Sequence, residues 1–457
     1  MFTLEDFEQA LASKPIESQG PLPIPKVSID SRTLASGDAF FAIRGRNLDG
    51  HRFVREAKEK GASAFVVEKR AWDEIRPFTL HNVFLVEDTT AAFGELARYI
   101  RRKCGVRPLA VTGSCGKTTT KQIADILLRR QFKVLATEGN LNNQFGLPLT
   151  ILKLRQDHEI LLAEIGASRP GDIAYLSEIL EPHIGLITNV HPAHLEGFGT
   201  LEKVYEAKLE LAGYLEKSCG TLIVNGDNEK LVARARGFRV TVLTFGRKKH
   251  NGFAVTHYAQ EGENLRLELN GRYGFSIRTH ALFNLDNFVA AIALSHTAGM
   301  PFEQLEGMLE EFQPISGRFE RHDLPSGVSV IHDAYNANPG SMMQALASFA
   351  AQKGLGRRKI AVLADMMELG EESEMLHHRI GTQMKGLAID VLVTVGSKAR
   401  EIANVAKESG AGREIMSFEK NSEVVSFLVP FLRSGDAVLL KGSRSMKLEE
   451  ILNVLKS

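Results

Sequence analysis

The stretch Ala110–Thr120, AVTGSCGKTTT, decides how the rest of this chain is read. An apolar run, Leu109–Val111, leads into a small-residue loop, Gly113-Ser114-Cys115-Gly116, and then into Lys117-Thr118-Thr119. The following KQIADILLRR puts Ile123, Ile126 and Leu127 at helical spacing. A strand, a glycine-bearing loop and a helix N-terminus make an anion cradle, because the loop N–H groups and the helix dipole both favour negative charge. Lys117 is then placed to reach the outer phosphates of a nucleotide, and the Thr118 hydroxyl to ligate Mg²⁺. The spacing departs from the usual pattern, because Val111 holds the position of the first glycine. The plain alternative is an ordinary strand–turn–helix with a surface lysine.

The 457 residues are enough for two to four domains at roughly 150 residues each. A net charge of +1 argues against a broad nucleic-acid or membrane-binding surface. Cys104, Cys115 and Cys219 form neither a CxxC pair nor a zinc spacing, which fits a reduced, cytoplasmic protein. Cys115 reads either as a reactive thiol or as a small residue that fits its loop. The opening MFTLEDFEQALASK is acidic and amphipathic, unlike a secretion signal, and no apolar run is long enough to cross a bilayer. The expectation is a monomer that binds no nucleic acid and does not insert into membranes.

Three segments follow from the pattern of apolar runs. Residues 1–86 read as a small α/β unit, with strand-like AFFAI and AFVVE around a helical HRFVREAKEKGA. Its loops carry Ser31, Arg32 and Asn47, which serve either as turn residues or as ligand contacts. Residues 87–314 alternate short apolar strands with helices, which predicts a parallel sheet covered on both faces. Residues 315–457 alternate again (VSVIHDAYN, KIAVLADM, DVLVTVG, AVLLKGS) and read as a second open sheet of Rossmann-like style without a GxGxxG fingerprint. The fold class expected is therefore α/β in three domains: a small N-terminal unit, a central P-loop ATPase sheet and a C-terminal Rossmann-like unit.

Ligands of such sheets sit at the carboxyl ends of the strands. ILLAEIG ends in Glu164, and GLITNV runs on to His191 and His194, so these side chains belong at the edge that carries the phosphate loop. Glu164 suits Mg²⁺, a hard cation, or caps its strand; His194 is a ligand or a turn residue. Lys208 lies seven residues after Leu201 and three before Leu211, on the apolar stripe of one helix. An inward lysine is costly unless paired or neutral. Either its head snorkels outward, or it is a desolvated amine that takes up carbon dioxide and becomes a carbamate ligand to Mg²⁺ beside His194.

At these residues the chain resembles the Mur ligases, the ATP-dependent enzymes that build the peptide of bacterial cell-wall precursors. The likeness rests on TGSCGKTTT, EIG, TNVHPAHLEGFG and EAKLEL, and it extends along essentially the whole chain. Within the family, TEGNLNNQFGLPLT, AEIGASRPGDI, SGRFE, DAYNANPGSM, ADMMELGEES and LLKGSRSM are similar to the member that adds a dipeptide, and the DNPR motif of a single-residue-adding relative is absent. The resemblance implies that Gly113, Ser114, Cys115, Gly116, Lys117, Thr118 and Thr119 cradle ATP. It further implies that Asn284 and Asn287 face adenine and that Arg318 and Asp333 bind nucleotide from the third domain. The metal set would be Thr118, Glu164, His194 and carbamylated Lys208. Lys117, Glu164, His194 and Lys208 would be the catalytic groups. Ser31, Arg32 and Asn47 would meet the UDP substrate, Asn142, Asn143 and Ser168 the UDP-MurNAc-tripeptide, and Asn336 and Asn338 the incoming D-Ala-D-Ala. Phe283, where many relatives carry histidine, and His332, before Asp333, depart from the family pattern.

Overall fold

The computed structural model describes residues 1–20, 22–45, 48–261, 264–279, 281–309, 312–313, 315–352, 354–409 and 414–457. In the first unit the strands β1 (Val27–Ser28), β2 (Ala39–Phe41), β3 (Ala64–Glu68) and β4 (Val83–Val86) form a parallel sheet in that order. Helix α1 (Leu4–Leu11) opens with a capping box: Thr3 accepts from the Asp6 amide, and Asp6 accepts from the Thr3 amide. Helix α2 (Thr89–Cys104) starts at Asp88, whose Oδ1 accepts from the Thr90 and Ala91 amides, and ends at Gly105 in the left-handed conformation. Phe7, Phe41, Phe84 and Phe93 meet in the core between these helices and the sheet, with Phe41 and Phe93 ring centroids 5.1 Å apart. The other side of α2 reaches the second unit, where Arg98, Arg101 and Arg102 converge on Glu181.

The second unit is a nine-stranded sheet. Its strands are β5 (Arg107–Thr112), β6 (Val134–Ala136), β7 (Ile160–Glu164), β8 (Ile184–Ile187), β9 (Thr221–Asn225), β10 (Thr241–Gly246), β11 (Phe253–Glu261), β12 (Asn264–Leu269) and β13 (Tyr273–Arg278). The order is β13-β12-β11-β10-β9-β8-β5-β7-β6, parallel from β6 to β11, with β12 and β13 antiparallel at the edge. The alternating apolar runs of the sequence correspond to the parallel part. The edge meander, in which Leu265, Leu267 and Leu269 point inward between polar neighbours, adds to the expected sheet. Strand β5 lies between β7 and β8. The chain leaves it on one side and later returns on the other, which places a crevice at its carboxyl end. Helices α3 (Lys117–Leu128), α4 (Asp172–Leu180), α5 (Leu201–Lys217) and α6 (Leu285–Thr297) cover the faces. Helix α6 is apolar nearly all round and is buried along most of its length.

The third unit has strands β14 (Glu320–Asp323), β15 (Ser329–Asp333), β16 (Arg358–Ala364), β17 (Val391–Val395), β18 (Glu414–Phe418) and β19 (Asp436–Lys441), in the order β14-β15-β19-β16-β17-β18. Only β14 is antiparallel. Helices α7 (Pro339–Ala351), α8 (Ser373–Gln383) and α9 (Glu449–Lys456) are among those that cover it. No helix among the described residues is long and apolar enough to cross a membrane.

Phe93 joins α2 to the first unit's core. Phe93→Ala removes a fully buried ring, a change of the kind that costs about 3–5 kcal/mol. Amide exchange in β2 and β3 is expected to accelerate by at least ~100-fold, with exchange in β5 and β7 unchanged. Equal acceleration in both units would show that α2 does not hold the first core together.

Candidate active site

A cavity of about 980 Å³ lies where the three units meet. Arg44 and Gly45 reach it from the first unit, the phosphate loop and the ends of β7 and β8 from the second, and Arg318, Asp333, Tyr335 and Lys441 from the third. Its floor is the loop Gly113–Lys117. The segment after β8 holds that loop open. Thr188 Oγ1 donates to the Cys115 carbonyl at 2.6 Å, the Ser114 amide donates to the Asn189 carbonyl at 3.0 Å, and the Cys115 amide donates to Asn189 Oδ1 at 3.1 Å. Ser114 Oγ donates to the His191 carbonyl and accepts from the His191 amide.

Two glycines of the loop have no substitute. Gly113 has φ +143°, and a Cβ there would sit 2.0 Å from Thr188 Oγ1 and 3.1 Å from the Asn189 carbonyl oxygen. Gly116 has φ +79°, and its Cβ would sit 2.2 Å from Asn287 Oδ1. Lys117 opens α3 and donates from Nζ to the Gly113 carbonyl at 2.8 Å, folding its charge over the cradle; burial lowers its pKa. Burial likewise pushes the Cys115 thiol up, which disfavours the thiolate.

The strand ends bring the other expected groups to the same place. Glu164 is buried at the end of β7; its Oε1 accepts from Asn142 Nδ2 at 2.8 Å, while its Oε2 is buried without a hydrogen-bond partner. A buried carboxylate oxygen without a donor suits a cation, so the donor set fits Mg²⁺. Thr118 Oγ1 accepts from Arg318 Nη2 at 2.9 Å, a bond that joins the third unit to the phosphate loop. Arg318 also stacks over Tyr335, 4.2 Å from the ring centroid. Asp333 pairs with Lys441 at 3.0 Å, opposite it in register on β19, and burial raises the Asp333 pKa against the pull of that lysine. Asn287 Nδ2 donates to Asn284 Oδ1 at 2.8 Å on the wall beside Gly116. Phe283 packs edge-on against Phe319 of the third unit, 5.1 Å between centroids, which gives an apolar side chain at 283 a partner.

His194 lines the cavity at the start of a short helical turn, Leu195–Phe198, and its Nδ1 lies 2.5 Å from Glu368 Oε2 of the third unit. Lys208, on α5, lies behind the cavity wall and is 2% exposed. Its ammonium nitrogen stands 5.6 Å from the Phe198 ring centroid and has no hydrogen bond or ion pair among the described residues. Burial first, and the charge of Lys117 second, bring its pKa down to about 7. The snorkelling alternative is thereby removed.

The remaining substrate candidates divide. Asn142, Asn143, Ser168, Asn336 and Asn338 line the cavity, and several of them also hold backbone. Asn143 Oδ1 accepts from the Phe145 and Gly146 amides, and Asn338 caps α7. Ser31 is buried against Glu56, and Arg32 is exposed and paired with Asp30; neither lines the cavity. Asn47 lies outside the described residues. Sequence reasoning missed Thr188 and Asn189, which brace the loop, and Lys441, which neutralises Asp333. The rule that ligands sit at strand ends points to Lys441, the last residue of β19 and the first of KGS.

The arrangement is that of a nucleotide-dependent enzyme whose three units share one cleft. Family models for the Mur ligase family catalytic domain, the Mur ligase middle domain and the Mur ligase glutamate ligase domain match residues 23–101, 111–295 and 317–444 in turn. The chain belongs to the Mur ligase family. It is 34% identical over 432 residues to the UDP-N-acetylmuramoyl-tripeptide–D-alanyl-D-alanine ligase of Bacillus subtilis, spanning 94% of this chain and 92% of the relative. The ligase of the same name from Escherichia coli is 32% identical over 449 residues, 96% of each chain. The crystal structure of MurF from Acinetobacter baumannii superposes with a TM-score of 0.89 at 29% identity, over 100% of this chain and 99% of that one. MurF from Thermotoga maritima in complex with ADP superposes with a TM-score of 0.83 at 29% identity, over 94% and 97%.

Two predictions follow from this geometry. Gly113→Ala and Gly116→Ala are each expected to weaken ATP binding by at least ~10-fold, about 1.4 kcal/mol, as read by calorimetric titration. Unchanged affinity in both would mean that the loop tolerates a Cβ where none fits. The second concerns Lys208. Its folded pKa near 7 lies below the unfolded value of 10.5, so between these pH values the unfolded chain holds the extra proton. Stability therefore rises with pH through that window. In bicarbonate-free buffer, the gain in urea resistance from Lys208→Met should shrink between pH 7 and pH 9.5; a gain independent of pH would contradict a buried neutral amine.

Proposed function

We propose that this chain joins D-alanyl-D-alanine to UDP-N-acetylmuramoyl-tripeptide at the expense of ATP, giving the UDP-linked pentapeptide, ADP and phosphate. One observation carries the reading: the phosphate loop, Glu164, His194 and Asn336–Asn338 share a single cleft, in a chain matched end to end by ligases of that name. The domains are taken as 1–86, 87–314 and 315–457, with the UDP moiety on the first and the dipeptide on the third. Both ATP and a UDP-linked precursor are cytoplasmic metabolites, and the reaction is placed there, in a monomer.

The tripeptide's terminal carboxylate oxygen forms a bond to the γ-phosphorus of ATP, and the bond from that phosphorus to the β-bridging oxygen breaks, releasing ADP. The amine of the dipeptide then bonds to the acyl carbon, loses a proton, and inorganic phosphate leaves. The protein's work is to hold anions together and to offset their repulsion. Lys117 leaves the Gly113 carbonyl for the phosphates, and loop amides donate to the phosphate oxygens. Arg318 turns from Thr118 towards the nucleotide, and Lys441 pairs with Asp333 beside it. Glu368 orients His194. Mg²⁺, held by Thr118 and Glu164, with a second ion at His194 and carbamylated Lys208, would neutralise charge between phosphate and carboxylate. The apolar setting of Lys208 favours the neutral amine that carbon dioxide requires.

Phosphate release in the presence of UDP-MurNAc-tripeptide should be stimulated by D-Ala-D-Ala and not by single amino acids. A stronger response to a single amino acid would assign the chain to another branch of the family. Lys117→Ala should lose at least ~3 kcal/mol of transition-state stabilisation, leaving well under a hundredth of the turnover, with the fold intact. Lys208→Ala should also be inactive, Lys208→Arg should not rescue it, and formate should restore part of the rate to the alanine variant. Full activity of Lys208→Ala would remove the carbamate from the mechanism.

A further inference from the structure

Away from the cleft, the β14–β15 hairpin builds a second cluster of ligating side chains. Glu320 lies opposite His332, and His322 opposite Val330, in the antiparallel register. Glu320, His322 and His332 therefore point to one face of the sheet, the face that α9 covers through Ile451 and Leu452 packed with Val330. Asp333, one residue on, points to the other face and into the ATP cavity. The two sites stand back to back across β15.

Each of the three residues offers a ligand atom, and these atoms lie within 4.8 Å of one another. His322 Nε2 is 3.4 Å from Glu320 Oε2, and His332 Nδ1 is 4.0 Å from the same oxygen. Metal–ligand bonds of ~2.0–2.2 Å in a tetrahedron put ligand atoms about 3.3–3.6 Å apart, so the first pair is already at that spacing and the second needs a small side-chain rotation. His322 Nε2 is buried and faces Glu320 Oε2 without hydrogen-bond geometry; on His332, which is 5% exposed, Nδ1 is the atom turned toward Glu320 and Nε2 is buried without a hydrogen-bond partner. A third orphan is close: Glu449 Oε2, at the start of α9, is buried and unpartnered, and its charge acts on His332. Buried polar atoms without partners are rare, and one explanation for them is an ion. Burial also lowers the His332 pKa, a shift toward the neutral ring that ligates.

We propose that Glu320, His322 and His332 bind a divalent transition metal of the zinc class, at a site distinct from the ATP cleft. Two imidazoles and one carboxylate select Zn²⁺ or Co²⁺ over Mg²⁺, which takes oxygen ligands. Water completes the coordination. The ion would tie β14 to β15. Through Glu320, which accepts from the Gly317 amide at 3.0 Å, it would also steady the loop that carries Arg318.

The test uses the full chain, stripped with a chelator and kept in millimolar Mg²⁺ to occupy the nucleotide site. Wild type is expected to retain one equivalent of Zn²⁺ through gel filtration. With Co²⁺ it should show visible d–d absorption without the near-ultraviolet band of thiolate ligation. His322→Asn, at a partly exposed position, and Glu320→Gln should each weaken Zn²⁺ binding by at least ~10-fold while circular dichroism stays native. Amide exchange in β14 and β15 should slow on adding Zn²⁺ in wild type and not in His322→Asn. Failure of wild type to retain zinc, equal retention by His322→Asn, or a thiolate band would each overturn the proposal.

Discussion

The structure depends on how the loop Gly113–Lys117 is kept open. A tight glycine-bearing loop keeps its shape only when its amides, carbonyls and side chains are held from outside. Here the holding groups come from the neighbouring strand: Thr188 on the Cys115 carbonyl, Asn189 on two loop amides, and the His191 backbone on Ser114. The requirement explains why β8 must lie beside β5 and why Gly113 leaves no space for a Cβ; at Gly116 that space is filled by Asn287. The strand order of the central sheet is thus tied to the anion site at its edge.

The other two units are arranged around that loop. The third unit touches it directly through Arg318 and Thr118, and touches its surroundings through His194–Glu368 and Phe283–Phe319. Gly340, at the start of α7, leaves room for the His191 ring, with a Cβ there only 3.0 Å from it. These contacts are polar and apolar together: beside the hydrogen bonds, one buried apolar cluster runs from Leu195 and Phe198 to Phe319, Met366 and Leu369. The first unit is attached differently, through α2, which shares its apolar face with one core and its arginines with Glu181 of the next.

Much of this was legible in the chain. The phosphate loop is local chemistry on consecutive residues. The parallel strands announce themselves as apolar runs, because both of their faces are covered. The edge meander from Phe253 to Arg278 is harder to read, since a half-covered antiparallel strand alternates polar and apolar residues as turns and loops also do. Lys208 could be placed on an apolar stripe by counting, but a stripe does not say whether the head group escapes to water. Asn143 and Asn338 read as ligand contacts from their motifs; the fold shows that Asn143 also accepts from two backbone amides and that Asn338 caps α7.

By itself, the sequence determined the elements whose causes lie within a few residues: the strand–loop–helix at Ala110–Thr120, the caps at Thr3 and Asp88, and the alternation that makes both large units α/β. Tertiary structure alone decided what depends on distant neighbours. The orphaned oxygen of Glu164, the lowered pKa of Lys208, the pairing of Asp333 with Lys441, and the meeting of Glu320 and His322 with His332 are all products of burial and register. The physical reason is that a side chain's charge and hydrogen bonding are set by its surroundings in space. Those surroundings come from strands and helices tens to hundreds of residues away.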